Sequence, residues 1–202
     1  MKHYDVIIIG AGPAGIFAAL ELVSSGKDFR ILIIEKGMDI EDRICPSAAR
    51  EVSCTACPEC GLLCGWGGAG AFSDGKLSLS KEIGGNLARY TGEEELQALI
   101  DYTDGLYIKY GAPSTVYGGD MEKVNTLRET AEKNGLTLIP SKIRHIGTDR
   151  CPEVLKKMQA ELDSKVDILF SKNVTKIIVE NGKAVGVEAG NGDVFYSEFV
   201  VV

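Results

Sequence analysis

The sequence has no basic tract. Its 22 Lys and Arg are outnumbered by 29 Asp and Glu, for a net charge of −7, and no run of Lys or Arg exceeds two. Nucleic acid and anionic membrane are therefore poor partners, because both are recognised through clustered positive charge. A hydrophobic run of membrane length is also lacking: the apolar stretch from Val6 to Leu20 is too short to span a bilayer and is broken by Gly and Pro. With Asp5 before it and Glu21 after it, that stretch has the wrong flanks for a signal peptide. No targeting segment is visible, so the expected location is the cytoplasm. Histidine is scarce, with two in the chain, and no Ser/His/Asp or paired-carboxylate constellation stands out. There is no internal repeat and no low-complexity tract. What remains is a 202-residue chain, long enough for one large domain or two small ones.

The positive signal is at the N-terminus. Asp5–Ile9 reads as a buried strand, Gly10-Ala-Gly12-Pro13-Ala14-Gly15 is a G-x-G-x-x-G turn, and Ile16–Ser24 continues as a helix. Arg30–Ile34 is a second buried strand, ending at Glu35, twenty residues beyond Gly15. Strand, glycine turn, helix, strand and acid in this order form a dinucleotide-binding unit. Gly10 permits the tight turn, Gly12 leaves no side chain between backbone and pyrophosphate, and Gly15 lets the helix pack close to the sheet. The helix points free N–H groups and its positive dipole end at the diphosphate. Glu35 is placed to accept from ribose hydroxyls, whereas an Arg there would suit a 2′-phosphate.

Further along, Gly92–Tyr110 and Asp120–Asn134 read as helices, the second stopped by Asn134-Gly135, and Leu136–Ile139 as a short strand. Cys151–Ser164 is a third helix, and Val166–Phe170 a buried strand. Val174–Val179, Ala184–Ala189 and Asp193–Val200 form a three-stranded meander joined at Asn181-Gly182 and Asn191-Gly192, pairs that tolerate positive φ. Phe199–Val202 looks like the start of a buried strand inside which the chain stops, so the sequence reads as the N-terminal part of a longer protein.

Two loops carry further chemistry. Cys54-Thr-Ala-Cys57-Pro-Glu-Cys60-Gly-Leu-Leu-Cys64 has the spacing C-x2-C-x2-C-x3-C, the bacterial ferredoxin run with Gly65 where Pro is usual. In a reducing compartment such cysteines suggest metal or redox chemistry rather than structural disulfides. An iron–sulfur cluster on Cys54, Cys57 and Cys60 with Cys64, Cys45 or Cys151, a zinc ion on four thiolates, a redox dithiol, and unliganded thiols are the four readings. The second loop, Gly65–Gly75, is glycine-rich, so its backbone can approach a planar ring or a phosphate closely. Trp66, Phe72 and Leu77 anchor it, which favours an ordered loop over a linker. His145 and Asp149 form a candidate acid–base pair with Thr148 beside them, although a capping turn explains the same residues. His3 reads as a surface residue.

The fingerprint with Glu35, the late strand, the meander and the final apolar strand resemble the glutathione-reductase-type FAD-binding fold. Gly65-Trp-Gly-Gly-Ala-Gly-Ala-Phe-Ser-Asp-Gly-Lys76 and His145-Ile-Gly-Thr-Asp149 more narrowly resemble a group of bacterial FAD-dependent dehydrogenases without an assigned substrate. The resemblance implies an α/β, Rossmann-like FAD/NAD(P)-binding domain with a parallel sheet, a three-stranded β-meander and a helical insertion. Its implied layout is 1–77 for the first part of the FAD-binding domain, 78–140 for the insertion and 141–202 for the return. It implies that Gly10, Gly12, Pro13, Ala14, Gly15, Glu35 and Lys36 hold the ADP half of FAD. By the same resemblance Gly67, Gly68 and Gly70 lie beside pyrophosphate and flavin, Val174 (after Asn173) contacts adenine through backbone groups, and Ser73 and Lys76 approach the flavin edge. The function implied is that of an FAD-dependent oxidoreductase acting on a small molecule, with NAD(P)H a possible electron donor. A non-catalytic electron-transfer module and a zinc-clipped structural domain are the alternatives.

Overall fold

The computed structural model describes residues 3–202, which fold as two compact units: one formed by residues up to Phe72 with Leu155–Val202, the other by Ser73–Val154. In chain order the elements are β1 His3–Ile9, α1 Pro13–Ser24, β2 Ile31–Ile34, α2 Pro46–Ala49, a 3₁₀ turn Gly68–Phe72, β3 Lys76–Ser78, α3 Ala88–Thr91, α4 Glu93–Lys109, β4 Val116–Tyr117, α5 Met121–Lys133, β5 Ile143–His145, α6 Arg150–Leu162, β6 Val166–Leu169, β7 Val174–Glu180, β8 Lys183–Ala189 and β9 Val194–Val201.

The first unit is built on a six-stranded sheet in the order β6-β2-β1-β9-β8-β7. β6, β2, β1 and β9 run parallel, while β9, β8 and β7 form antiparallel pairs. All four residues of β2 are buried, the pattern of a parallel strand covered on both faces. Helix α1 buries Ile16, Ala19 and Leu20, and α6 contributes Leu155, Met158 and Leu162 to the core of this unit. Tyr4, Ile7, Leu32, Ile34, Val187, Ala189 and Phe195 form a connected apolar cluster across the sheet. The expected third meander strand and the expected final apolar strand are one continuous element. β9 pairs antiparallel with β8 at Val194–Tyr196 and parallel with β1 from Tyr196 to Val201. Its last part is not wholly buried as the apolar run suggested: Phe199 is 59% exposed. Both Asn-Gly turns form, with Asn181, Gly182 and Gly192 at positive φ.

The second unit joins α3, α4 and α5 to a small antiparallel sheet in the order β3-β5-β4. The segment 78–140 lies within it. Helix α5 is capped by the Asp120 carboxylate, which accepts from the Lys123 N–H at 3.2 Å. Leu136–Ile139 is not a strand; it is irregular, with Leu136 65% and Ile139 63% exposed, and the pairing goes to β5 a few residues later. An apolar run without a partner strand or a surface to cover has nothing to hold it extended. Arg144, buried in β5, forms a two-pronged ion pair with Asp104 of α4 and also donates to the carbonyl of Pro113 at 2.5 Å. Among the described residues, no helix is long and apolar enough to cross a membrane.

Candidate dinucleotide site

The strand order of the first unit reverses at β1. From β1 the chain moves outward to β2 and then β6, and later returns to the opposite side of β1 as β9. Ligands of open parallel sheets bind outside the carboxyl ends of the strands at such a reversal. The Gly10–Gly15 turn leaves β1 there.

Each glycine of the turn has a measurable reason. Gly10 sits at φ +97°, a region that side chains rarely adopt, and its N–H donates to the Ile34 carbonyl at 2.8 Å. A Cβ on Gly15 would lie 2.1 Å from the Gly10 oxygen and 3.2 Å from Ile8 Cγ2, so only glycine lets α1 start this close to the strand. Gly12 differs: a Cβ there meets nothing within 4 Å. Its glycine is unnecessary for the protein's own packing, and the space it leaves is of the kind a ligand fills. Gly12 is the N-cap of α1, with no side-chain cap and no acid in the first turn. Pro13 takes the first helical position, where its missing N–H costs little, and both Pro13 and Ala14 are exposed. The helix therefore presents an uncapped, positively polarised end to an anion.

The Gly65–Gly68 segment is laid directly on this turn. Gly67 N–H donates to the Ala11 carbonyl at 2.8 Å, and a Cβ on Gly68 would stand 3.4 Å from Gly12 Cα. Trp66 is fully buried and donates its indole N–H to the Leu155 carbonyl at 2.9 Å, as its anchoring role requires. Gly70 is exposed, with open space around it. Ser73, Lys76, His145, Thr148 and Asp149 all belong to the other unit. There Lys76 pairs with Asp74 at 2.7 Å and stands opposite His145 across β3 and β5; His145 and Asp149 are exposed.

Glu35 is buried and does more than the spacing rule anticipates. Its Oε2 accepts from Ala11 N–H at 2.7 Å, and its Oε1 from Gly37 N–H at 2.8 Å and Gly65 N–H at 2.9 Å. One carboxylate thus ties the fingerprint turn, the end of β2 and the second glycine loop together. Oε2, with a single protein partner, keeps acceptor capacity for a ribose hydroxyl. Lys36 is exposed beside it. The Glu35 backbone bonds to Leu169 and Lys172, which brings Asn173 and Val174 alongside the end of β2; the Asn173 carbonyl accepts from Gly190 N–H at 2.8 Å.

Arg43, a residue no spacing rule singles out, is the counterpart of Glu35. It is buried, and its Nε donates to Gly61 O at 2.9 Å, Nη2 to Leu62 O at 2.8 Å, and Nη1 to Trp66 O at 2.6 Å and Gly68 O at 2.9 Å. The guanidinium also lies 4.8 Å from the centre of the Phe72 ring. Burial pushes its pKa below the ordinary arginine value, against the opposing pull of Glu35, Cys64 and Cys60 nearby.

The cysteine run is arranged otherwise than a tetrahedral clip. Among the described residues, no three His, Cys, Asp or Glu side chains converge as a metal requires. Cys57, Cys60 and Cys64 line one cavity of about 300 Å³, whereas Cys54 is exposed and lies outside its lining. Cys54 Sγ instead accepts from Ala56 N–H at 3.4 Å, and the chain turns at Ala56 with φ +49°. The set Cys54, Cys57, Cys60 and Cys64 does not fit a cluster or zinc in this arrangement. FAD fits the glycine site, where an open Gly12, an uncapped helix end and a buried carboxylate at the end of β2 coincide.

Comparison with known proteins supports an FAD-binding fold. Residues 3–42 match the model of an FAD binding domain. The chain is 28% identical over 178 residues to an uncharacterized protein of Clostridium beijerinckii, covering 88% of this chain and 26% of that one. It is 36% identical over 53 residues to the mitochondrial electron transfer flavoprotein-ubiquinone oxidoreductase of Dictyostelium discoideum, covering 24% of this chain and 9% of that one. Among solved structures it is similar to the 3-ketosteroid-Δ4-(5α)-dehydrogenase of Rhodococcus jostii RHA1, with a TM-score of 0.55, 17% identity, and coverage of 99% of this chain and 45% of that one. The chain thus spans less than half the length of each of these proteins. Its architecture is a mixed α/β, Rossmann-like FAD-binding fold.

Proposed function

We propose that this chain is the FAD-binding portion of an FAD-dependent oxidoreductase acting on a small molecule. The observation that carries the reading is Gly12: a residue kept free of side-chain atoms where the protein has no packing need for it, at an uncapped helix end. Gly10, Gly12, Ala14 and Gly15 cradle the diphosphate, Glu35 accepts from the adenosine ribose, Val174 borders the adenine, and Gly67 and Gly68 line the pyrophosphate side. When bound, FAD supplies hydride and electron transfer, while the protein binds and orients it. A nicotinamide cofactor or the substrate itself is the proposed hydride source, and the cytoplasm the proposed location. Neither iron–sulfur nor zinc chemistry is part of the proposal, because among the described residues no three ligating side chains are grouped as a metal requires, and neither alternative function gains support from the site.

The test is the ultraviolet–visible spectrum of the intact purified protein, with flavin quantified after denaturation. Flavin near one equivalent per chain, retained through gel filtration, is expected. No flavin, even after incubation with added FAD, would remove the proposal.

A further inference from the structure

The cysteine run is the motif that the proposed function leaves unused, and the structure gives it a physical connection to the nucleotide loop. Cys57, Cys60 and Cys64 share one cavity of about 300 Å³, together with Met38, Asp42 and Glu59. All three thiols are partly exposed and unpaired with one another. Between Cys60 and Cys64 the chain makes a tight turn, with Cys64 N–H donating to Cys60 O at 2.8 Å. The carbonyls inside that turn, Gly61 and Leu62, are held by Arg43. The same guanidinium holds Trp66 and Gly68 of the loop that covers Gly12. Arg43 therefore joins a thiol-lined cavity to the glycine loop through four hydrogen bonds on one rigid fork.

We propose that this cavity is a thiol–disulfide exchange site for low-molecular-weight disulfides, and that its oxidation loosens the nucleotide loop through Arg43. The coupling rests on the FAD reading given above. In the first step a cavity thiolate attacks one sulfur of the small disulfide, breaking its S–S bond and releasing one half as a thiolate. A second cavity thiol then loses its proton to water and displaces the other half, closing a protein S–S bond. The protein dithiol loses two electrons and two protons, and the small disulfide is reduced to two thiols. Asp42 and Glu59 at the cavity favour a cationic or neutral disulfide over an anionic one.

Any pairing of the three thiols uses Cys60 or Cys64, the two ends of the turn that Arg43 straps. Side chains one helical turn apart have Cβ atoms about 5–6 Å apart. A disulfide needs them at roughly 3.8 Å, so a Cys60–Cys64 bond distorts the turn. Gly61 and Leu62 then move off Arg43, and a buried guanidinium that loses acceptors pulls on the remaining two at Trp66 and Gly68. Arg43 is a positioning residue in this scheme: it touches the loop, not the cofactor.

The experiment uses the intact protein carrying Cys45→Ser and Cys54→Ser, treated with cystamine, a cationic disulfide. Peptide mapping by mass spectrometry is expected to find an intrachain bond among Cys57, Cys60 and Cys64, with two equivalents of cysteamine released. FAD binding, followed by flavin fluorescence, is expected to weaken at least tenfold and to recover with dithiothreitol. Cys60→Ser/Cys64→Ser should bind FAD as before, form at most a mixed disulfide at Cys57 with no intrachain bond, and keep its FAD affinity after cystamine. If that variant does not fold, Cys57→Ser tests the same point from the other side: it keeps the Cys60–Cys64 pair and should still close that bond and lose FAD affinity, and a closed bond with unchanged affinity would overturn the coupling. Arg43→Lys, with fewer donors, should bind FAD more weakly untreated and respond little to oxidation. In the protein that keeps all three thiols, mixed disulfides without an intrachain bond, or oxidation with unchanged FAD affinity, would overturn the proposal. Absence of FAD binding in the untreated protein would overturn the cofactor reading and the coupling together, while the disulfide map would still decide the exchange site.

Discussion

Two glycines three residues apart in one turn should respond to the same substitution in opposite ways. At Gly15 an added methyl would sit 2.1 Å from the Gly10 oxygen, a backbone atom, and 3.2 Å from Ile8 Cγ2. Against an optimal separation of about 3.5 Å, α1 must retreat by more than an ångström from the strand or the turn must open. Such overpacking costs about 1–3 kcal/mol. In a folding unit of this size that lowers Tm by roughly 2–12 °C, at about 2–4 °C per kcal/mol. At Gly12 the methyl meets nothing within 4 Å, and the backbone, at φ −72° and ψ 176°, suits any residue. The weaker N-cap is offset by the reduced entropy of the unfolded chain, so stability changes by less than about 1 kcal/mol. The ligand meets the methyl instead. Loss of one close N–H contact to a diphosphate, worth about 1.5–3 kcal/mol, weakens FAD roughly 10- to 100-fold. Differential scanning fluorimetry of the apoproteins and FAD titration by fluorescence separate the two effects. If Gly12→Ala lowers Tm as much as Gly15→Ala, or binds FAD as tightly as the parent, the geometric argument is wrong.

Three other substitutions test the framework. Asp104→Ala strands the buried Arg144 guanidinium and should destabilise the second unit by about 3–5 kcal/mol in chemical denaturation, whereas a cost below 1 kcal/mol would show the pair to be solvated. Burial, then the hydrogen bond to Asp167, pushes the Tyr4 phenol up to about 12 from its ordinary value of 10.0. The unfolded chain therefore ionises first as pH rises, so stability is intact below about pH 10 and falls by roughly 1–3 kcal/mol between pH 10 and 12; Tyr4→Phe should flatten that limb of the urea-unfolding profile. Trp66→Phe removes the indole donor from the Leu155 carbonyl and should cost about 1–3 kcal/mol, measured as a shift in urea midpoint; an unchanged midpoint would mean that the bond is not made in solution.

Much of the nucleotide-binding architecture was readable because its parts are local. Gly10, Gly12 and Gly15 declare themselves by spacing, β1 and β2 by unbroken apolar runs, and the meander by Asn-Gly pairs whose positive φ the structure reproduces. Long-range use of a side chain left no such trace. Arg43 stands in an irregular, mixed-charge stretch, and nothing in its neighbours shows that it will reach carbonyls of residues 61–68. Glu35 was legible as an acid at a strand end, but its three backbone donors come from three separate loops. Leu136–Ile139 shows the converse failure: apolar character alone suggested a strand, and only the absence of a partner decided otherwise. The ferredoxin-like spacing likewise describes sequence distance, while Cys54 stands outside the cavity that Cys57, Cys60 and Cys64 line.

The double pairing of β9 has a consequence for the order in which the sheet is completed. β1 is made well before β9, so one of its two partners, from Tyr196 to Val201, arrives long afterwards. Until then an apolar strand has one edge open, the state in which a nascent chain pairs with the wrong neighbour. The meander answers this by arriving as a preassembled hairpin stack: Asn181-Gly182 and Asn191-Gly192 let β7, β8 and the first part of β9 zip locally, in tight sequence order. The second half of β9 is thereby delivered already aligned, so the slow, distant closure against β1 is a docking of one prepared edge onto another rather than a search by a loose strand.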